Sequence, residues 1–299
     1  MLDQVRQASA SDLPVFETGR QPFRLTRRPE ERVELLGGVM DLVKASEVFH
    51  FVSGKIACGK KAIVANHNLH SLYLIKKDRE MRAFFAKADL VEVDSIPLIL
   101  WARIVGRPSR RFHRCTYLDW RDDFWTMAEA KGWRVFFVGG EPGVAEAAAQ
   151  KIRGEWPAVC LRTHHGFFDI TPGSAGNEQL MDEIGAFAPN VLLVGMGMSR
   201  QEVWVNRNYD ALPACVTFTV GGAFDYEAGA QIACPRWMGQ LGVEWLFRLT
   251  TNPKLFSRYV VEPWSLVAPA LVDLVRAVRR RLRWSGEEQP ARTHSRTAH

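Results

Sequence analysis

Several stretches of this chain set polar side chains where apolar runs stop, and each suggests a chemistry. In ANHNLHSLY, Asn66 and Asn68 stand at the exit of a β-rich run. Amides there either bind a sugar or base, or cap a helix by accepting backbone N–H bonds. In KADLVEVDSIPLILW, Asp94 ends a short alternating stretch and precedes a helical pattern near Ile96. A carboxylate so placed either takes a proton from an incoming hydroxyl or serves as that helix's N-cap. RCTYLDW offers Arg114 and Asp119 as phosphate and ribose or sugar contacts, since the guanidinium fork matches phosphate oxygens. A surface salt bridge is the plain alternative.

VLLVGMGMSRQEVWV breaks at Gly195 and Gly197 and restarts as helix near Ser199. Glycines there permit close backbone approach, and the helix start aims N–H groups at an anion such as a diphosphate. Gln201 and Glu202 then contact a nucleotide or sugar, although a first-turn glutamate also complements the helix dipole. The glycine spacing is not a dinucleotide fingerprint. Further on, VGGAFDYEAG and GVEWLFRLTTNPKLFSRY carry Asp225, Glu244, Arg248 and Arg258, charges that need partners wherever they are buried. Trp237, Trp245 and Phe247 read as packing, because large aromatics dominate cores.

The elements that must hold these groups are short β-rich runs alternating with helical patterns. KAIVA, RVFFVGG, AVCLRT, VLLVGMG and CVTFTVGG are predominantly apolar, which predicts parallel strands covered on both faces. In such open sheets ligands bind beyond the carboxyl ends of the strands. GGEPGVAEAAAQKI reads as a helix with Pro142 in its first turn. Residues 1–28 are an extension of weak pattern, residues 29–250 the α/β unit, residues 251–284 a basic helical appendage and residues 285–299 a disordered tail. In the appendage, Val267, Leu271, Leu274, Val275, Val278 and Leu282 recur at helical spacing among Arg276, Arg279, Arg280, Arg281 and Arg283.

An apolar fraction of 47% and a charged fraction of 24% fit a globular chain rather than a disordered one. The net charge of +6 is modest and concentrated late, which suits phosphate or an anionic membrane surface. Nucleic acid is not expected, because the basic residues interleave with an aliphatic stripe and no nucleic-acid module is present. The five cysteines are odd in number and lack zinc-ligand spacing, so a reduced, cytoplasmic protein is expected. No run approaches the roughly 20 apolar residues of a membrane span, so membrane contact is expected to be peripheral.

The ordered set N.N, ADLVEVDSIP, R.TYLD, FFVGGEPGVAEAAAQKI, GFF, VLLVGMGMSRQEVWV, VGGAFDYEAG and GVEWLFRLTTNPKLFSRY resembles the WecG/TagA/CpsF glycosyltransferase family, from about Arg32 to Tyr259. The resemblance implies an α/β, Rossmann-like parallel sheet flanked by helices with a C-terminal helical appendage. It implies inverting transfer from a UDP-sugar, UDP-glucose ranked first, to a sugar on a polyprenyl diphosphate, with no cofactor and no metal. Asp94 falls on the family's proposed base. Asn66, Arg114, Gly195, Gly197, Gln201, Glu202 and Asp225 fall on the donor side, and Arg248 and Arg258 on basic positions facing the lipid-linked diphosphate. The appendage is expected to meet the inner face of the cell membrane, and homo-oligomerisation is left open. A degraded family member that only binds nucleotide-sugar or lipid carrier is the alternative. Ser95, Val64, Ser199, Ala233 and Tyr117 depart from the family pattern; the missing arginine at Ala233 implies a different donor sugar, compensation by Arg236 or a weakened enzyme, and Tyr117 is expected to reshape the acceptor pocket.

Overall fold

The computed structural model describes residues 31–287 apart from 233, 236, 237, 239–242 and 252–254. The N-terminal extension, Ala233, Arg236, Trp237 and the tail from residue 288 lie outside the described residues. The chain opens with β1 (Arg32–Leu35) and β2 (Gly38–Asp41), then α1 (Ala45–Ala57), β3 (Ala62–His67), α2 (Leu69–Lys77), α3 (Arg79–Lys87) and β4 (Leu90–Val93). It continues through α4 (Ile96–Ile104), α5 (Tyr117–Ala130), β5 (Arg134–Gly139), α6 (Val144–Glu155), β6 (Cys160–His164), α7 (Ala175–Phe187) and β7 (Val191–Gly195). The last elements are α8 (Arg200–Asn208), β8 (Val216–Thr219), α9 (Ala223–Ala228), α10 (Glu244–Thr251), a helical turn at Glu262–Leu266 and α11 (Val267–Glu287).

Six strands form one parallel sheet in the order β4-β3-β8-β7-β5-β6. All five strands expected from apolar runs are present. β4 is the sixth, a four-residue strand whose one charged residue, Glu92, interrupts the apolar signal. Pro142 lies before α6 rather than in its first turn, because Gly143, at φ 88, turns the chain into the helix. One face of the sheet packs Ile63, Val91, Phe136, Leu192 and Trp204. The other packs Val64, Leu90, Phe137, Leu193, Phe218 and Trp120. With both faces buried, the strands need no polar alternation.

Two additions stabilise the sheet's β4 edge. The β1–β2 hairpin turns through Leu36 and Gly37 at φ 53 and 80, the positive values that a two-residue turn between twisted strands requires. Buried Asp41 at its end accepts the N–H of Val91 at 2.8 Å. Helix α11 docks on the same hairpin. Asp273, also buried, accepts from the Leu36 N–H at 2.8 Å and the Trp101 Nε1–H at 3.0 Å, while Arg276 pairs with Glu34 at 2.8 Å.

Tyr117 was expected at the acceptor pocket, and the structure corrects this. Its ring is buried in the core, its hydroxyl donates to Glu227 Oε1 at 2.7 Å and accepts from Trp125 Nε1 at 2.9 Å. Arg121 completes the network with Nε to Glu227 Oε1 at 2.6 Å, which fixes α9 against α5.

Candidate active site

The carboxyl ends of β3 and β4 form one half of the site. Asn68, not Asn66, caps α2 by accepting the Ser71 N–H at 3.0 Å. Asn66 instead donates Nδ2 to the Thr219 carbonyl at 2.7 Å, across the end of β8. Asp94 sits one step beyond β4, held there by its N–H to the His67 carbonyl at 2.9 Å. The N-cap of α4 is Ser95 rather than Asp94. Directly along the strand, Glu92 shares Asp94's face and registers opposite Asn66. Burial, with the charge of Asp94 adding to it, pushes the Glu92 carboxyl well above the usual range.

Asp94 lines a cavity of about 310 Å³ together with Arg114, Arg248 and Arg258. Arg114 reaches it because its backbone runs beside Val93. The salt bridge weighed for Arg114 also exists, at 3.1 Å to Asp119 Oδ2, so one guanidinium is both paired and at the cavity wall. Arg258 is pushed below its ordinary value first by burial; Tyr259 opposes this, the neighbouring Arg248 adds to it, and Glu262 and Asp94 oppose it in turn. Two guanidiniums held together in a half-dry cavity favour an anionic ligand, and diphosphate matches their forks. Trp245 stands at this cavity rather than in the core, 44% exposed and 6.4 Å from the Tyr259 ring, a correction to the packing expectation. Glu244 begins α10, and its side chain is outside what the structure describes.

The other half lies at the ends of β5, β7 and β8. A Cβ at Gly139 would meet the Gly195 carbonyl at 2.2 Å, and one at Gly195 would meet the Gly221 carbonyl at 2.5 Å. Gly195 thus serves contact between backbones. Gly197, at φ 78, supplies the turn into α8. Asp225 in the first turn of α9 stands over the Gly222 turn, and burial, then the charge of Glu141, raises its carboxyl. Asn66, Gly195, Gly197 and Asp225 therefore gather at the carboxyl edge, outside the walls of the Asp94 cavity.

Gln201 and Glu202, expected to contact a nucleotide or sugar, are both buried, at 0% exposure. Gln201 accepts the Gly221 N–H at 3.1 Å and donates to Glu202 Oε1 at 2.7 Å, so it braces the glycine turn from below. Arg200 likewise donates to the carbonyls of Gly166 and Phe168 and holds the GFF loop. The polar trio after β7 braces the neighbouring loops, Gln201 and Glu202 from within and Arg200 from a part-buried position.

Burial pushes the Glu202 carboxyl up to about 7, with the Gln201 hydrogen bond working against it. A raised folded-state value means the folded chain binds the proton more tightly. That stability is fully present below the unfolded value of 4.5 and is lost as pH rises through about 7. Glu202→Gln is expected to match the wild type near pH 4 and to exceed it by about 3 kcal/mol near pH 8. Denaturant melts at both pH values check this; parallel pH dependence in the two proteins refutes it.

His70, on α2, also lines the cavity, with Nδ1 2.6 Å from Glu262 Oε2. Nothing in the local sequence marks that pair, because 192 residues separate its members. Among the described residues, no three His, Cys, Asp or Glu side chains group as metal ligands, and no helix is long and apolar enough to cross a membrane.

A model of the glycosyl transferase WecG/TagA/CpsF family matches residues 33–280. The N-acetylglucosaminyldiphosphoundecaprenol N-acetyl-beta-D-mannosaminyltransferases of Staphylococcus aureus strains NCTC 8325 / PS 47, COL and MRSA252 are each 24% identical to this chain over 208 residues, which cover 66% of it and 79% of them. Because the matched span takes in the sheet, both halves of its carboxyl edge and most of the docked terminal helix, the chain belongs to the WecG/TagA/CpsF family of glycosyl transferases.

Proposed function

We propose that this chain is an inverting, metal-independent transferase that moves a sugar from a UDP-sugar to a sugar carried on a polyprenyl diphosphate, in envelope glycan assembly. The observation that carries the reading is the cavity that joins one carboxylate, Asp94, to Arg114, Arg248 and Arg258. Asp94 takes the proton of the acceptor hydroxyl as that oxygen attacks the anomeric carbon from the face opposite the departing UDP. The diphosphates meet guanidinium groups, which stabilise developing charge as a cation would. Asn66, Gly195, Gly197 and Asp225 form the donor side, with Gln201 and Glu202 acting through the glycine turn they support.

UDP-glucose gains no support from the relatives, whose names specify an N-acetylmannosaminyl donor group and an N-acetylglucosaminyl-diphosphoundecaprenol acceptor. UDP-N-acetylmannosamine is therefore ranked ahead of it. Residues 29–250 act as the catalytic unit and 251–284 as the appendage that approaches the inner face of the cell membrane. The orientation of α11 supports this. Its inward face carries Asp273 and Ala277, while Leu271, Val275, Val278 and Leu282 point outward, Leu271 at 59% exposure. At about 3.6 residues per turn, Arg281 borders this apolar arc on one side and Arg279 on the other, the layout of a helix lying in an anionic interface.

The test incubates the purified chain with a short-chain polyprenyl-diphosphate N-acetylglucosamine and a panel of UDP-sugars, with and without a chelator, and reads products by mass spectrometry. A gain of one N-acetylhexosamine that survives the chelator is expected. Nucleotide binding without turnover on any donor would favour the binding-protein alternative.

A further inference from the structure

The side chain of His70 and that of Glu262 meet at 2.6 Å and are each mostly buried. They come from different parts of the molecule. His70 is in the first turn of α2, immediately after the strand end that holds Asn66. Glu262 opens the helical turn Glu262–Leu266, where Lys76 also donates to the Ser265 carbonyl. The contact thus fastens the appendage to the catalytic unit beside the cavity that His70 lines with Asp94 and Arg258.

A salt-bridge latch alone would not need to face a cavity. A carboxylate on Nδ1 has a further effect, since it holds the proton on that nitrogen and leaves Nε2 as an acceptor lone pair. Burial lowers His70 from its ordinary value and the nearby Arg258 charge acts the same way, against the pull of Glu262, so the ring stays neutral and the lone pair remains available. The cavity belongs to the acceptor side, because it contains the carboxylate assigned to the acceptor hydroxyl and is walled by the appendage residues Arg258 and Tyr259.

We propose that His70 is an acceptor-positioning residue whose Nε2 receives a hydrogen bond from a hydroxyl of the lipid-linked sugar, and that Glu262 fixes it in that role only when the appendage is seated. No bond to a reacting atom changes at His70; it orients the sugar while Asp94 takes the proton. This rests on the transferase reading and specifies which substrate the pair serves.

Two substitutions separate the nitrogens. His70→Asn keeps an amide where Nδ1 meets Glu262 and removes the Nε2 position; His70→Gln keeps a polar group near Nε2 and gives up the Nδ1 contact. Binding of a short-chain polyprenyl-diphosphate N-acetylglucosamine and of a UDP-sugar is measured separately by calorimetry, so turnover is not required, and circular dichroism melts verify folding. His70→Asn is expected to weaken acceptor binding by about tenfold, the scale of one lost hydrogen bond, with UDP-sugar binding unchanged. His70→Gln should retain more of the acceptor affinity than His70→Asn. Acceptor binding by His70→Asn equal to the wild type, or equal losses for donor and acceptor, would overturn the assignment in favour of a latch. If His70→Asn does not fold, acceptor affinity of His70→Gln at or below a tenth of the wild-type value overturns it, and a smaller loss supports it. Absence of acceptor binding by the wild type would instead sink the transferase reading beneath it.

Discussion

Asp94→Asn is expected to lower kcat on the order of 1,000-fold while leaving the Kd for the UDP-sugar within about twofold. The size follows from Asp94 being the only carboxylate among the described residues that line the cavity. Asparagine preserves shape and polarity but cannot take up the acceptor proton. Donor affinity should persist because the glycine turns and Asp225 lie outside that cavity's walls. Initial rates and donor calorimetry on the same preparation decide the matter. Wild-type turnover would show that the base is wrongly assigned and pass the role to His70, the other proton acceptor there. Lost donor binding would make Asp94 a donor ligand.

The second large effect concerns α11. Leu271→Asp with Val275→Asp is expected to reduce binding to vesicles containing anionic lipid by 100-fold or more, at an estimated 1.5–3 kcal/mol for each apolar side chain removed from the interface, roughly. Both side chains point away from the Asp273 and Ala277 face, so the thermal midpoint should hardly move. Co-sedimentation with anionic and with neutral vesicles tests the claim, and unchanged partition into the anionic set would defeat it. A salt-sensitive residue of binding in the double variant would report the arginines.

The strands were legible wherever both faces of the sheet are covered, because burial on two sides leaves an unbroken apolar run, as in VLLVG. β4 escaped that signal through Glu92, whose burial raises its carboxyl well above the usual range. The hairpin at residues 32–41 was missed because Leu36, a residue that disfavours positive φ, occupies half of its turn. At the site, the residue types were readable and their directions were not. Asn66 and Asn68 look alike in sequence, and only the start of α2 assigns the cap to Asn68. Gln201 and Glu202 look like ligand contacts, yet α8 rolls them beneath the loop. The His70–Glu262 contact depends wholly on how the terminal segment folds back, which no local pattern encodes.

The stacking of Gly139, Gly195 and Gly221 also limits how this enzyme could be retuned. A side chain at Gly139 or Gly195 would run into a neighbouring main chain, and Gly221, at φ 55, has a backbone that other residues rarely adopt, so the platform beneath the proposed donor site resists substitution. A library meant to change the transferred sugar therefore has little to gain at those glycines. Its diversity belongs on a side chain beside the glycine turns such as Asp225, which stands over Gly222 and is not part of the main-chain contact.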